Sequence, residues 1–241
     1  MATKITEKLT INGDQSSVVL DGLDFTGNGY VEVKNADEVI IRNCRVYNMN
    51  VTGTTKNFWL RIFNDIPVEL VVEHCFFGSN PSADGKRMYN LIEPYAKFKN
   101  GSSISHNYFA DDCCVHNCVN VYGVVDNATI NIDDNVFEIS AGTVRLGPKG
   151  EPKCTINVRD NVILADNPAY TAEDQGLLTI QPYNKDTTSL KNMTVVLKNN
   201  TLASEQVGYF GYGANDLVIT DENKAKIIIN GKIATLPTYQ W

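Results

Sequence analysis

The chain repeats an eight-residue motif, first complete as Val39-Ile40-Ile41-Arg42-Asn43-Cys44-Arg45-Val46. Apolar residues stand two apart, a polar pair ends in Asn or Cys, and another apolar residue follows two positions later. An apolar period of two predicts a β-strand, and the polar pair predicts a tight bend into the next strand. The later copies are Leu70–Phe77, Ser102–Phe109, Ile130–Phe137, Ile156–Ile163 and Val195–Leu202.

The spacing of these copies indicates a repeat architecture. Their bend residues return every 26 to 39 residues, and an internal period of about 20 to 50 residues is typical of solenoids and related folds. Each unit consists of strands and bends, without helical periodicity. We therefore predict an all-β solenoid, a parallel β-helix, in which each winding lays its strands about 4.8 Å from those of the winding below.

In such a coil, equivalent residues of successive windings form columns. A column of Asn at an inward bend can pass side-chain amide hydrogen bonds from winding to winding, which satisfies polar groups that are costly to bury. Cysteines in the same column are expected to act as small apolar side chains. The predicted ladder comprises Cys44, Cys75, Asn107, Asn135, Asn161 and Asn200.

The copies centred on Asn107, Asn135, Asn161 and Asn200 resemble the windings of the right-handed parallel β-helix superfamily. That superfamily includes pectate lyases, polygalacturonases and many bacteriophage tailspike and virion proteins. The resemblance extends from about Val18 to about Leu202. It implies a single-stranded right-handed coil of roughly seven turns with terminal caps. Because the superfamily holds both enzymes and inert rods, it specifies a fold and not a function.

One domain is expected for 241 residues, since a solenoid needs no second core. We predict an N-terminal cap or docking segment at 1–17, the coil at 18–220, and a C-terminal hairpin and tail at 221–241. Asn12-Gly13-Asp14 predicts a hairpin-type start, and Asn230-Gly231 predicts a hairpin near the end.

The charge balance disfavours two classes of partner. The formal net charge is −7, whereas nucleic acids and anionic membranes are bound by clustered Lys and Arg. No run of about 18 apolar residues and no leader pattern after Met1 is present, so neither a membrane span nor a signal peptide is expected. We expect synthesis in the host cytoplasm, with the six cysteines reduced.

A second class of strand lies between the motif copies, beginning with Phe58–Phe63. Alternation sends Leu60 and Ile62 inward and their neighbours outward. Aromatic residues and Arg on an exposed sheet face are typical of an interface or a sugar-binding wall, and loops folded over the face are the alternative. The tail residues Tyr239 and Trp241 are expected to plug the coil or to dock on a neighbouring subunit. The predicted outward stripe is Trp59, Arg61, Phe63, Asn90, Tyr122, Arg145, Thr179 and Gln181.

Asp111, Asp112 and His116 are the first candidates for chemistry. Paired carboxylates can hydrolyse a glycosidic bond, one protonating the leaving oxygen and the other activating water. Polygalacturonases use Asp pairs on a β-helix together with His-Gly and Arg-x-Lys motifs, and neither motif occurs here. Adjacent Asp residues on a strand also point to opposite faces. Surface bend residues are therefore favoured, and no catalytic site is predicted.

A second cluster contains cysteine and histidine, which are zinc ligands. Cys-x3-Cys without a second such pair is not a strong ligand pattern, so buried cysteines with exposed histidines are favoured. We predict no metal and no cofactor. The cluster comprises His106, Cys113, Cys114, His116 and Cys118.

Acidic pairs form a third cluster and suggest calcium, as in pectate lyases. The pairs are Asp133-Asp134 and Asp21 with Asp24. A lyase also needs a strong base beside the metal-bound substrate. Arg159 occupies the position of Asp133 one winding later, so a stacked salt bridge explains that pair more simply.

These observations favour a non-enzymatic structural protein. By analogy with the superfamily, we expect a bacteriophage virion component, a capsid decoration or cement protein or another head- or tail-associated protein. The expected partners are other capsid or tail proteins, and a homotrimer is expected because virus-encoded β-helices are often trimeric. The alternatives are a polysaccharide lyase or glycoside hydrolase acting as a depolymerase, and a carbohydrate-binding module that uses Trp59, Tyr89 and Tyr122 as glycan platforms.

Overall fold

A computed structural model shows that the described part of the chain is all-β. Its 25 strands lie in three sheets, and the helical structure there is one 3-10 turn, Thr187–Leu190. The structure describes residues 2–49, 58–78, 90–110, 113–114, 117–138, 142–147, 149–164, 178–180, 187–202, 207–209, 222 and 224–233.

The strands are numbered in chain order, and each of the three sheets is named by a letter. Sheet A contains β1 (Thr3–Ile5), β4 (Leu23–Gly27), β7 (Arg45–Met49), β10 (Phe76–Phe77), β13 (Tyr108–Phe109), β16 (Val136–Phe137), β19 (Val162–Ile163) and β22 (Thr201–Leu202). Sheet B contains β2 (Leu9–Asn12), β5 (Val31–Lys34), β8 (Phe58–Phe63), β11 (Asn90–Ile92), β14 (Asn117–Val121), β17 (Gly142–Leu146), β20 (Leu178–Ile180) and β23 (Val207–Tyr209). Sheet C contains β3 (Ser17–Asp21), β6 (Glu38–Arg42), β9 (Glu69–Glu73), β12 (Ser103–Ser105), β15 (Thr129–Asp133), β18 (Cys154–Arg159), β21 (Met193–Lys198), β24 (Lys226–Ile229) and β25 (Lys232–Ile233).

From β1 to β24 the chain visits sheets A, B and C in rotation, so these strands pair with strands three places away along the sequence. The strands described here pair in parallel, except at the hairpin of β24 and β25. The register aligns equivalent motif positions, so that Ile132 lies between Ile104 and Val158. This order is compatible with a parallel β-helix-like fold.

Each of the strands β3, β6, β9, β12, β15, β18, β21 and β24 is followed by one residue in the left-handed conformation. These residues have φ between 47° and 67°. Asn, Asp and His tolerate this region better than most residues, and Gly adopts it without strain. The residue type therefore places the bend at the end of each strand. Seven of these bends lead out of sheet C, and the last begins the hairpin turn to β25, which lies in the same sheet. The bend residues are Gly22, Asn43, His74, His106, Asp134, Asp160, Asn199 and Asn230.

The core lies between the three sheets and is built from columns of like side chains. Leu60 and Ile62 point inward and are fully buried, as the alternation predicts. In sheet A, the rings of Phe77, Phe109 and Phe137 form one parallel stack, with successive centroids 4.7 Å apart. Such stacking keeps the apolar interior continuous from winding to winding.

The structure describes both the N-terminal segment and the C-terminal hairpin that the sequence predicts. Within 1–17, β1 pairs with β4 and β2 pairs with β5, so this segment is already part of sheets A and B. The hairpin predicted at Asn12-Gly13-Asp14 is wrong, because β2 and β3 lie in different sheets. At the other end, β24 and β25 form the antiparallel hairpin predicted around Asn230-Gly231, and both turn residues have positive φ.

Candidate functional site

The predicted catalytic residues Asp111, Asp112 and His116 lie outside the described residues. The same holds for Tyr89, Gln181, Tyr239 and Trp241 of the predicted binding surfaces. Thr179 lies in β20, and its backbone pairs with Arg145.

Trp59 does not face outward as predicted. It is 0% exposed, and its ring meets Phe25 and Phe77 edge-on at centroid distances of 5.4 and 5.1 Å. Both phenylalanines belong to the core face of sheet A. Trp59 stands near the start of β8, where the chain enters sheet B, so simple alternation fails there and the side chain fills the corner between the two sheets.

Asn90 and Arg145 were also predicted to face solvent, and both are buried. Asn90 donates from Nδ2 to Glu93 Oε2 and accepts the backbone N–H of Asn117 through Oδ1 at 3.0 Å. The guanidinium of Arg145 lies over the ring of Tyr122, 5.3 Å from its centroid. These two positions of the stripe are therefore not open to a partner, which agrees with the covered-face alternative.

A polar column runs across the outer face of sheet B. Its members lie side by side in successive windings: Glu32 beside Arg61, and Asn120 beside Arg145. Glu93 falls between them, because Ile92 pairs with both Leu60 and Val119. We call this set the sheet B polar column: Glu32, Arg61, Glu93, Asn120 and Arg145.

Glu93 is the most enclosed acid of this column. It is buried, and its Oε2 accepts hydrogen bonds from Asn90 and, at 3.3 Å, from Asn120 Nδ2. Arg61 and Asn120 occupy the adjacent windings of the same column. A buried carboxylate is costly unless neighbouring donors satisfy it, so these contacts account for its presence.

Glu32, at the beginning of the column, is held by lysines. Lys8 Nζ lies 2.9 Å from Oε2 and Lys34 Nζ lies 3.3 Å from Oε1. The hydrogen bond from Lys8 lowers the pKa of Glu32, while burial acts in the opposite direction. Glu32 therefore remains an ionised partner of the lysines and is not suited to act as a general acid near neutral pH.

Phe63 of the stripe is exposed and lies beside a second exposed aromatic residue, Tyr95. Phe63 and Tyr95 are 40% and 44% exposed, and their rings are parallel with centroids 5.3 Å apart. A groove of about 270 Å³ adjoins Tyr95. Its other polar lining includes Asn64, Asp65, Lys97, Tyr122 and Lys149. We call Phe63, Tyr95 and this groove the aromatic patch.

The residues that directly follow the bend residues form the predicted ladder, a hydrogen-bonded column. Asn135 Oδ1 accepts hydrogen bonds from the backbone N and from Nδ2 of Asn107, both at 3.0 Å. Asn161 Oδ1 accepts from the backbone N and Nδ2 of Asn135 at 2.9 and 3.0 Å. Asn200 continues the column above Asn161. Asn107 Oδ1 accepts the backbone N–H of Cys75, where the amide part of the column ends. Cys44 precedes it and is fully buried.

Acidic residues on the outer faces of sheets A and C pair with the next winding. Asp133 accepts two hydrogen bonds from Arg159, at 3.1 and 2.5 Å, as predicted for a stacked salt bridge. Asp24 accepts two from Arg45, at 2.7 and 2.5 Å, which lowers the pKa of Asp24. Asp21 accepts from Asn43 and Arg42, which likewise lowers its pKa. These pairs explain the acidic clusters without calcium.

The thiols of Cys113, Cys114 and Cys118 converge. The Sγ atom of Cys118 lies 4.0 Å from each of the other two, and the three Sγ atoms lie within 4.8 Å of one another. All three side chains are buried, and burial raises the pKa of Cys118. His106 does not belong to this group, because it is an exposed bend residue whose ring contacts that of His74 at a tilt of 33° and lies 3.9 Å from Asp134.

Sequence reasoning missed Glu93, Asn120 and Tyr95. Glu93 and Tyr95 flank Pro94 just beyond the short strand β11, so the periodicity had ended before it reached them. Asn120 alternates with Val119 and Val121, and that signal was available in the sequence.

No family model, no curated protein and no solved structure matches the chain. Among the described residues, no helix has the length and apolar character needed to cross a membrane.

Proposed function

We propose that the protein is a non-enzymatic structural component of a bacteriophage virion, a capsid decoration or cement protein or another head- or tail-associated protein. In this proposal the chain is a single-stranded right-handed parallel β-helix of roughly seven turns, assembles as a homotrimer, and docks on other capsid or tail proteins. The virion is then its site of action after synthesis in the host cytoplasm.

The observation that carries the proposal is how the polar side chains are used. Asp21, Asp24 and Asp133 are bound by Arg or Asn of an adjacent winding. Glu32 and Glu93 are likewise bound by neighbouring side chains. Acids that serve to connect windings stabilise a rod, whereas hydrolysis requires a carboxylic acid and a base facing a common substrate. The aromatic patch is suited to docking, because exposed aromatic rings are typical of protein interfaces.

Oligomeric state and particle binding test this proposal. We expect a trimer by light scattering, and co-sedimentation of the purified protein with particles that lack it. Tyr95→Ala should weaken that co-sedimentation, because it removes an exposed ring of the aromatic patch. Ile233→Ala is the matched control, since it removes a large exposed side chain elsewhere. A protein that stays monomeric and binds neither capsids nor tails would contradict the proposal.

The aromatic patch also supports one alternative, a carbohydrate-binding module. Aromatic rings beside amide, carboxylate and ammonium groups combine an apolar platform with donors and acceptors, which is the composition of many small-ligand sites. A glycan array decides between the two. Binding of a glycan by the native protein and its loss in Tyr95→Ala would favour the module, and an array without any bound glycan would exclude it.

A further inference from the structure

The three cysteines at the entrance to β14 occupy a distinctive place in the fold. Cys118 takes the column position that Trp59 and Leu91 hold in the two preceding windings, as the pairing of Asn90 with Phe58 and Asn117 shows. Trp59 and Leu91 fill this position with large buried side chains. In the winding of Cys118, small side chains from Cys113, Cys114 and Cys118 are brought together instead.

The spacing of the sulfurs suits a shared metal ion. With metal–sulfur bonds of about 2.3 Å, thiolates on one ion stand about 3.8 Å apart in a tetrahedral site and about 4.0 Å apart in a trigonal one. The two distances from Cys118 Sγ are both 4.0 Å. A disulfide needs sulfurs at about 2.05 Å, so the arrangement is that of three separate thiols.

The remaining cysteines of the chain provide a comparison. Cys44 and Cys75 belong to the predicted ladder, and Cys154 is a buried residue of β18. Within the described part of the chain, the group that brings three ligand atoms together is the one formed by Cys113, Cys114 and Cys118. Three convergent thiols are a donor set for soft, thiophilic ions, whereas calcium and magnesium prefer oxygen.

We propose that Cys113, Cys114 and Cys118 bind one thiophilic metal ion, with zinc(II) as the ion to be tested. Each thiol that becomes a ligand releases its proton, and the positive ion compensates the charge of the buried thiolates. Structural zinc sites are almost always closed by four ligands. The three thiolates therefore leave the fourth position of a tetrahedral ion to a further donor, and a water molecule is the simplest one. The ion fastens the chain between β13 and β14, and this inference is independent of the proposed function.

Metal content measures the site directly. The full chain is incubated with excess zinc chloride under reducing conditions, freed of unbound ion, and analysed by mass spectrometry of the metal. We expect about one zinc ion per chain, and at least about a tenfold lower content in Cys118→Ser. Cys154→Ser is the matched control, since it alters an equally buried cysteine outside the group, and it should retain the full metal content.

A second measurement covers the case in which Cys118→Ser does not fold. Cobalt(II) added to the native chain should give intense sulfur-to-cobalt charge-transfer absorption, and one equivalent of zinc should abolish it. Acid should release the ion, because protons compete for the thiolates. Native protein without bound zinc or cobalt absorption would overturn the proposal. A disulfide within the group, or an equal metal content in folded Cys118→Ser, would overturn it as well.

Discussion

The two sides of each winding differ in how they turn. From Asn43 onward, the passage from sheet C to sheet A takes two residues each time, and the first has positive φ. The passage from sheet A to sheet B takes between 3 and 14 residues. The first kind of turn is determined by local backbone preference. Where the chain enters sheet B, Trp59 and the three cysteines fill space that the neighbouring windings leave open.

The largest effect on stability is expected where the chain passes from sheet A to sheet B. Trp59→Ala should lower the free energy of unfolding by about 3–5 kcal/mol, because it leaves a cavity between sheets A and B. Phe63→Ala, on the exposed part of the same strand, should cost less than about 1 kcal/mol. Denaturant unfolding of both variants measures the difference. Equal, small losses would mean that Trp59 faces outward after all.

The passage from sheet C to sheet A is tested by a substitution within the Asn column. Asn135→Ala removes the acceptor of the Asn107 backbone N–H, so a buried donor loses its partner. The expected loss is about 1–3 kcal/mol in the free energy of unfolding. Asn131→Ala is the control, because its side chain is only half-buried on the outer face of sheet C. Indistinguishable unfolding midpoints for the two variants would contradict a supporting role for the column.

The bend itself gives a smaller effect. Asp160 has φ of 56°, so Asp160→Val should cost roughly 1–2 kcal/mol through the clash of a branched side chain in the left-handed region. Asp160→Gly keeps that region accessible and should come close to the native midpoint. Thermal unfolding of the two variants measures the difference. If Asp160→Gly and Asp160→Val lower the unfolding midpoint equally, the side chain of Asp160, and not its backbone conformation, determines the bend.

The smallest effect concerns pH and the Asp24–Arg45 pair beside the first described bend. The folded-state pKa of Asp24 is lowered by the hydrogen bonds from Arg45. Its contribution to stability is therefore fully present above the ordinary carboxyl pKa of about 3.9, and it is lost as the pH falls through the lowered folded value. Asp24→Asn should be less stable than the native protein at pH 7, and the gap should close in acid. Parallel stability curves for the two proteins would argue against the pair.

The repeated motif made the stacked strands and their bends predictable, because both follow from residue type within a few positions. The ladder residues Asn107, Asn135 and Asn161 were predictable in this way, since each directly follows a bend residue and Asn is suited to an amide ladder. Local pattern carried no comparable signal for Trp59. Its direction depends on Phe25 and Phe77, which come from other windings.

The candidate site was predicted less well than the fold. The stripe of alternating residues included Phe63, which is exposed, and also Asn90 and Arg145, which are buried. Alternation assigns a side chain to a face of a sheet, but it does not say whether another part of the chain covers that face. Glu93 shows the same limit, because one of its two hydrogen-bond donors, Asn120, belongs to the next winding and lies 27 residues away in the sequence.

The register of adjacent windings is tested most directly by paired cysteines on the outer face of sheet C. Asn131 and Asn157 are partners in the parallel register, and their side chains are joined by a hydrogen bond of 2.8 Å. The double variant Asn131→Cys/Asn157→Cys should form an intramolecular disulfide on mild oxidation, detected by peptide mass spectrometry. The displaced pair Asn131→Cys/Arg159→Cys should remain reduced. Cross-linking of the displaced pair, or of neither, would contradict the stacking on which this description of the protein depends.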